Sequence, residues 1–469
     1  MNRRKFFKNG ALATAGLGVL EACSTSHQSV SRSDFNKKAK NIIFLVSDGM
    51  SQGTLAIADT LKKRMYGKSS VWMDLYRNNK VTRALMDMAS ESSIVTDSAA
   101  ASSSWGGGHR IPNGGINVGR GGIKHKPIWQ KFMNAGKKAG VVTTVPVTHA
   151  TPAGFCVNSS SRNDQNGIAE KYIDIGLSVM LGGGQKFFDP NLRKDNKDIY
   201  KAFKNKKYTV VTSRDEMLSS RNNKLLGVFD NAGLAYTLDR NNDNQIAKQT
   251  PTLAEMTQKA IDVLQSYSEG FVLQVEGGKV DWAAHANDAG ALAYDQIAFD
   301  DAIKVAMQFA EKNEETLVII TTDHGNANPG IMYGKNVNEN FDRLQKFKCT
   351  NDWILQEITK DYSVSQVRER IEYANNFAIS KAEAQSILNY YANLEKPEEG
   401  LYNYKKLPFS LLSKIQQEYH SVGWISTNHS GDFVELAMYG PQNNHLKPFI
   451  KNTELHNFML KAAEVDDFA

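Results

Sequence analysis

Three apolar runs in this chain each stop at a carboxylate: residues 41–47 at Asp48, residues 271–275 at Glu276 and residues 317–322 at Asp323. Carboxylates gathered in one place repel one another unless cations sit between them. Two of these acids have metal-type neighbours. His324 directly follows Asp323, and beyond Glu276 come Asp281 and His285, at the one-turn spacing that puts both side chains on one helix face. Imidazole and carboxylate in this proportion suit a polynuclear metal site. A second piece of chemistry is Thr96-Asp97-Ser98-Ala99-Ala100-Ala101-Ser102, a serine opening a run of small, helix-compatible residues. A hydroxyl at a helix amino terminus lies in a positive local field with free backbone N–H groups, which suits a nucleophile that must meet an anion. Taken alone, an Asp-Ser before alanines is a plain helix cap. The acids and histidines around it give it weight.

The elements that must bring these residues together are legible in the hydrophobic pattern. Residues 140–147 read as a further strand, and residues 253–268 as an amphipathic helix with apolar side chains at 253, 256, 260, 264 and 267. Residues 290–312 repeat the helical period through Ala298, Ala302, Val305 and Phe309. Helix, strand, helix, strand from 253 to 322 is the signature of right-handed βαβ units, so the fold class is α/β with a parallel-dominated sheet. In such a sheet ligands sit beyond the carboxyl ends of the strands, where all three terminal acids fall. From about 329 to 426 the texture turns to charged helical sequence such as residues 366–394, with no strand ending in an acid, and this stretch reads as a helical insertion.

The length of 469 residues with 41% hydrophobic and 23% charged residues is that of a globular chain, not a collagenous or disordered one. The amino terminus places Arg3-Arg4-Lys5-Phe6-Phe7-Lys8 before a mild apolar stretch, 11–20, in the order of an export signal, and the paired arginines resemble a twin-arginine signal. Leu20-Glu21-Ala22-Cys23 resembles a lipobox, with Glu21 an unusual member. The expected organisation is an export signal at 1–22, a polar tether at 23–40, and one domain from 41 to 469, exported to a periplasmic or outer-surface location with Cys23 as a candidate lipid anchor. Arg3, Arg4, Lys5 and Lys8 against Glu21 supply +3 of the net charge of +6, leaving about +3 for a chain starting at Cys23. So small a charge gives no case for nucleic-acid binding. Cys156 and Cys349 show no disulfide-framework spacing, so a long-range pair and two buried thiols both stand.

Asp48, Asp97-Ser98-Ala99-Ala100, Thr148-His149-Ala150-Thr151-Pro152-Ala153, Glu276 through Asp281 to His285, Asp323-His324-Gly325 and His429-Ser430-Gly431 follow one another in an order that resembles the alkaline phosphatases. The resemblance covers roughly 41–330 and 425–442, and the ordered set is specific although each element alone is weak. It implies a central sheet flanked by helices on both faces and a metal-dependent phosphate monoester hydrolase. It implies one zinc ion on Asp281, His285 and His429, a second on Asp323, His324 and Asp48, and a magnesium ion on Asp48, Thr151 and Glu276. It makes Ser98 the nucleophile of a double displacement through phosphoserine, and Arg162 in Ser160-Ser161-Arg162-Asn163 the phosphate clamp. Donor chemistry agrees: zinc takes imidazole and carboxylate, magnesium takes oxygen, and a guanidinium fork grips two phosphate oxygens. His149 stands where some members place an aspartate near magnesium, and Trp282 where some place a lysine that reaches phosphate, so both are expected beside the substrate. Small phosphate monoesters are the expected substrates and a homodimer the expected assembly, with the insertion as a lid or interface.

The competing readings are a phosphodiesterase or sulfatase of the same metal superfamily and a metal- or phosphate-binding lipoprotein without turnover. Ser98 lacks the sulfatase context, and diesterase relatives usually carry threonine there. Asp239, Asn241 and Asp243 begin like a calcium loop, but Asn244 and Thr250 stand at its glycine and glutamate positions, so a polar turn is expected. Gly106-Gly107-Gly108 and Gly182-Gly183-Gly184 lack a following Lys-Ser/Thr and are expected to be turns. His109, His125 and His420 have no assigned role.

Overall fold

In chain order the strands are β1 (Asn41–Ser47), β2 (Thr82–Asp87), β3 (Lys138–Pro146), β4 (Val179–Gly183), β5 (Thr209–Val211), β6 (Leu225–Val228), β7 (Phe271–Gly277), β8 (Thr316–Thr322), β9 (Gly325–Asn326), β10 (Gly330–Ile331), β11 (Val422–Gly423), β12 (His429–Ser430), β13 (Val434–Tyr439) and β14 (Phe449–Lys451). This computed structural model describes residues 37–392, 394 and 406–467; the expected export signal, Cys23 and most of the polar tether lie outside them. Ten strands form one sheet in the order β14-β2-β13-β8-β1-β7-β3-β4-β6-β5, and every pairing is parallel except those of β13. Every residue of β1, β7 and β8 is buried. That is why these runs are continuously apolar instead of alternating, since helices cover both faces of the sheet.

One face carries helices Ser98–Gly106, Ile128–Asn134, Ala150–Cys156 and Glu454–Ala462, with Trp105 and Phe155 packed on Phe44 and Trp129 packed on Phe155. The other carries Val71–Arg77, Leu253–Leu264 and Ala289–Ala310, packed through Trp72, Met256 and Phe299 onto Leu273 and Ile320. A third apolar cluster joins helices Asn351–Gln356, Val364–Asn375, Lys381–Tyr391 and Phe409–His420 to helix Gln52–Tyr66 and to the outer side of Ala289–Ala310. The charged sequence between 329 and 426 therefore has an apolar core of its own, with Ile354, Ile371, Ile387 and Leu412 fully buried.

Register decides where the acids emerge. β1 lies between β7 and β8, with Ser47 opposite both Gly277 and Thr322, so Asp48 and Asp323 leave the sheet side by side. Glu276 does not follow its strand, as its apolar run suggested, but belongs to it: the ladder continues through Glu276, opposite Val46 and Thr143, to Gly277. The exception in direction, β13, matters equally. Because it runs against β8 and β2, its starting end lies at the carboxyl edge of its neighbours, and the segment before it, with β12, is delivered there.

Other expectations shift at their ends. The helix expected over 253–268 stops at Leu264, because the chain must turn through Gly270, at φ 82° against the Lys40 carbonyl, to enter β7. Residues 239–242 are helical, not a turn: Thr237–Asn242 is a helix, and the extended Asp243 caps the next one, Asn244–Gln249, by accepting from Gln245 and Ile246 N–H. Gly106 ends a helix and Gly182 and Gly183 lie in β4, so neither glycine run is a simple turn. Cys156 and Cys349 are both buried free thiols. Among the described residues no helix is long and apolar enough to cross a membrane.

Candidate metal centre

The carboxyl edge brings together three groups of potential ligands, each with its donor atoms within 4.8 Å of one another: Asp281, His285 and His429; Asp48, Asp323 and His324; and Asp48, His149 and Glu276. Asp48 belongs to two of them. Asp281 and His285 stand four apart on helix Lys279–His285, while His429 arrives from the β9–β12 ribbon, where it pairs with Asn326. Gly49, at φ 67°, turns the chain directly after Asp48; a Cβ there would lie 2.5 Å from Asp281 Oδ1, so only glycine lets the two groups approach. Thr151 Oγ1 donates to Asp48 Oδ2 at 3.4 Å, which places it beside the third group.

The histidines are oriented as metal-binding imidazoles usually are, with one nitrogen tied back and the other free to point inward. His285 Nδ1 donates to Thr427 O at 2.6 Å, His429 Nδ1 to Thr96 O at 3.0 Å and His324 Nδ1 to Gly325 O at 3.3 Å. Their Nε2 atoms turn to the acids: His324 lies 3.2 Å from Asp323 Oδ2 and 3.5 Å from Asp48 Oδ1, His285 3.4 Å from Asp281 Oδ2, and His429 3.6 Å from Asp281 Oδ1. Burial, followed by their mutual repulsion, pushes the Asp48 carboxyl well above its ordinary range. Burial also raises Glu276 and Asp323. Asp281 goes the other way: burial raises it, but His285, His324, His429 and a donor from Asn326 together outweigh that. Burial lowers His324 to about 4 and lowers His429 as well. Neutral imidazoles beside carboxylates are the protonation states that bind divalent cations. The buried oxygens Asp48 Oδ1, Glu276 Oε1 and Asp323 Oδ2 accept no hydrogen bond from the protein. Orphaned acceptors of this kind are costly in a polar core and fit positive ions.

Ser98 is the first residue of its helix, with Asp97 as the cap accepting from Ala100 N–H, so the hydroxyl stands at the amino terminus as its sequence suggests. Its Oγ lies 3.1 Å from His324 Nε2, against the second ligand group. Arg162 donates from Nη1 to Asp97 Oδ2 at 3.0 Å and from Nη2 to His149 Nε2 at 3.3 Å. Burial, then the Arg162 charge, lowers His149 to about 3, so it meets the guanidinium as a neutral acceptor. Trp282 stands edge-on to His149 with ring centres 6.3 Å apart, and the buried Lys279 ammonium lies 4.6 Å from the Trp282 ring centre and 3.5 Å from that of Tyr236. All twelve residues singled out from the sequence are thus assembled at one edge. His109 and His125 stack on each other and His420 accepts from Val422 N–H, all without contact to the ligand groups.

Sequence reasoning gave no role to Asp97, Thr143, Asn326 or the Gly49 amide. Asp97 holds Arg162, Thr143 donates to Glu276 Oε2, Asn326 donates to Asp281 Oδ1 and Gly49 N–H donates to Asp323 Oδ1. The signal for Asp97 and Asn326 was adjacency: one precedes Ser98 and the other stands two residues after His324.

The family model for alkaline phosphatase matches residues 39–465. Among curated proteins, alkaline phosphatase 4 of Bacillus subtilis is 29% identical over 459 residues, covering 96% of this chain and 94% of its own length. Alkaline phosphatase 3 of Bacillus subtilis is 31% identical over 434 residues, covering 91% and 89%. The crystal structure of the Thermus thermophilus alkaline phosphatase superposes with a TM-score of 0.85 at 31% identity, over 92% of this chain and 93% of that one. With a clustered set of acids and histidines at the carboxyl edge of the sheet, the chain belongs to the alkaline phosphatase family of metal-dependent phosphomonoesterases.

Proposed function

We propose that the protein hydrolyses phosphate monoesters by double displacement through a phosphoserine at Ser98, with two zinc ions and one magnesium ion as its metals. The observation that carries this reading is the position of Ser98 Oγ: at a helix amino terminus, 3.1 Å from His324 Nε2 and beside the Arg162 guanidinium network. In the first displacement Ser98 Oγ forms a bond to phosphorus, the ester P–O bond breaks and the alcohol leaves. In the second, water attacks the phosphoserine and returns the Ser98 hydroxyl with inorganic phosphate. Arg162 is pre-aimed by Asp97, so its fork can take two non-bridging oxygens without first paying the entropy of ordering a free side chain. No histidine or glutamate general base beside Ser98 is needed, because a bound divalent cation stabilises the oxygen charge that develops in such a transfer and lowers the pKa of a ligating hydroxyl.

Asp281, His285 and His429 would hold one zinc ion, and Asp48, Asp323 and His324 the other. Asp48, Glu276 and Thr151 would hold magnesium, with His149 offering an imidazole that favours a softer ion at the same place. Around this centre we place an export signal at 1–22, a lipid anchor at Cys23, the 41–469 phosphatase domain with its 329–426 insertion, and a homodimeric assembly. The test is hydrolysis of an aryl phosphate monoester beside the matching diester and sulfate, with zinc and magnesium supplied. Monoester turnover that collapses under chelation and in Ser98→Ala is the expected result. Activity confined to the diester or the sulfate, or full activity in Ser98→Ala, would overturn the reading.

A further inference from the structure

We infer that Asn326 is a positioning residue that fixes the Asp281 carboxylate, and with it the Asp281/His285/His429 ligand group. This rests on the metal reading above. Asn326 is fully buried in β9, and its Nδ2 donates both to Asp281 Oδ1 at 2.7 Å and to the Asp281 backbone oxygen at 3.2 Å. Exchanging the amide's nitrogen and oxygen would set an acceptor against two acceptors, so the orientation of the amide is determined. With Oδ1 tied down, the carboxylate cannot rotate, and Oδ2 is held toward His285 Nε2 at 3.4 Å. The same residue faces His429 across the β9–β12 ribbon, so one side chain and its backbone govern two of the three ligands.

Asn326 is itself braced. Ser51 stands at the amino-terminal cap of helix Gln52–Tyr66, yet its hydroxyl does not cap that helix. It accepts instead from Asn326 N–H at 3.0 Å and contacts Asn328 Oδ1 at 2.7 Å, while Asn328 Oδ1 also accepts from Ser430 Oγ at 2.8 Å. The chain from Asp281 through Asn326, Ser51 and Asn328 to Ser430 locks the ribbon to the sheet edge. An amide donor does not titrate, so its hold on Asp281 is constant over the range in which an imidazole donor would gain or lose a proton.

The experiment is chelator competition on the zinc-loaded protein, counting zinc retained by the wild type, Asn326→Ala and Asn326→Asp, together with the visible spectrum of the cobalt-substituted forms. The expected result is that one zinc per chain is held ~10–100-fold more weakly in both variants while the other is retained as in the wild type, with an altered cobalt spectrum. Unchanged zinc retention and an unchanged spectrum in both variants would overturn the inference. So would failure of both variants to fold, which would assign Asn326 to packing. A wild type that retains no zinc would overturn the metal reading and this inference with it.

Discussion

Among the described residues, two clusters of acids are built on opposite terms. At the sheet edge, Asp48, Glu276 and Asp323 each leave a buried oxygen with no hydrogen-bond donor from the protein. Elsewhere, the buried Asp288 and Asp295 and the half-buried Asp239 are capped by backbone and hydroxyl donors. Asp239 accepts from Thr350 N–H and Oγ1, Asp288 from Ala291 and Asn351 N–H, and Asp295 from Thr237 N–H and Oγ1. Burial raises Asp288 and Asp295 to about 7 and Asp239 to about 6, so all three resist ionisation as the edge acids do. The difference lies in the donors. A carboxylate whose oxygens are all satisfied is a clasp, here holding Thr237, Thr350 and Asn351 in place; one whose oxygens point at other acids suits a cation.

The comparison breaks most visibly at Asp323. Asp323→Asn should reduce kcat/KM by more than ~100-fold, since the loss of a ligand exceeds the usual effect of losing a supporting residue. The same substitution should raise the melting temperature of the metal-free protein, because it removes one charge from a repelling set. A fall in that temperature would place Asp323 with the clasps. Asp288→Ala should do the reverse: it strips a helix cap and orphans the buried Asn351 N–H, costing about 2–4 kcal/mol in urea unfolding. Zinc retention and KM should not move.

A smaller effect sharpens the clasp in its pH dependence. Because the folded-state pKa of Asp295 is raised from 3.8 to about 7, the folded protein binds more protons than the unfolded chain in that interval. Its contribution to stability is therefore complete below the unfolded value and is lost as pH rises toward 7. The stability difference between wild type and Asp295→Asn, followed by denaturation from pH 4 to 8, should fall across that window and level off above it; a flat difference would deny the shift. The smallest expected change is at Trp282, whose ring stands edge-on to His149. Trp282→Lys should tighten inhibition by product phosphate several-fold by adding a cation, on the order of 1 kcal/mol. An unchanged inhibition constant would remove Trp282 from the substrate pocket.

Much of this centre was legible because its acids end strands that are adjacent in one parallel sheet. Three apolar runs and their terminal residues are local signals, and once β1, β7 and β8 are neighbours the convergence follows. Ser98 was legible for the same reason, as the first residue of a helix capped by its own predecessor. What could not be read are contacts whose two halves come from distant segments. The place of His429 depends on β13 running against its neighbours, and the Arg162–His149 and Asn326–Asp281 bonds join distant segments that no periodicity links. Glu276 was misplaced by one step because a glutamate inside a buried strand breaks the apolar run that marks a strand's extent. The residues from 239 to 243 were misread because Asp and Asn favour turns and caps alike, and here Asp243 serves as the cap that starts the next helix.

The most direct test of the account is rapid quenching of the enzyme with a phosphate monoester at acid pH, followed by peptide mass spectrometry. The account predicts phosphate on the peptide containing Ser98, forming before steady-state product release and absent in Ser98→Ala. Turnover of the monoester with no phosphorylated Ser98 at any quench time would contradict it.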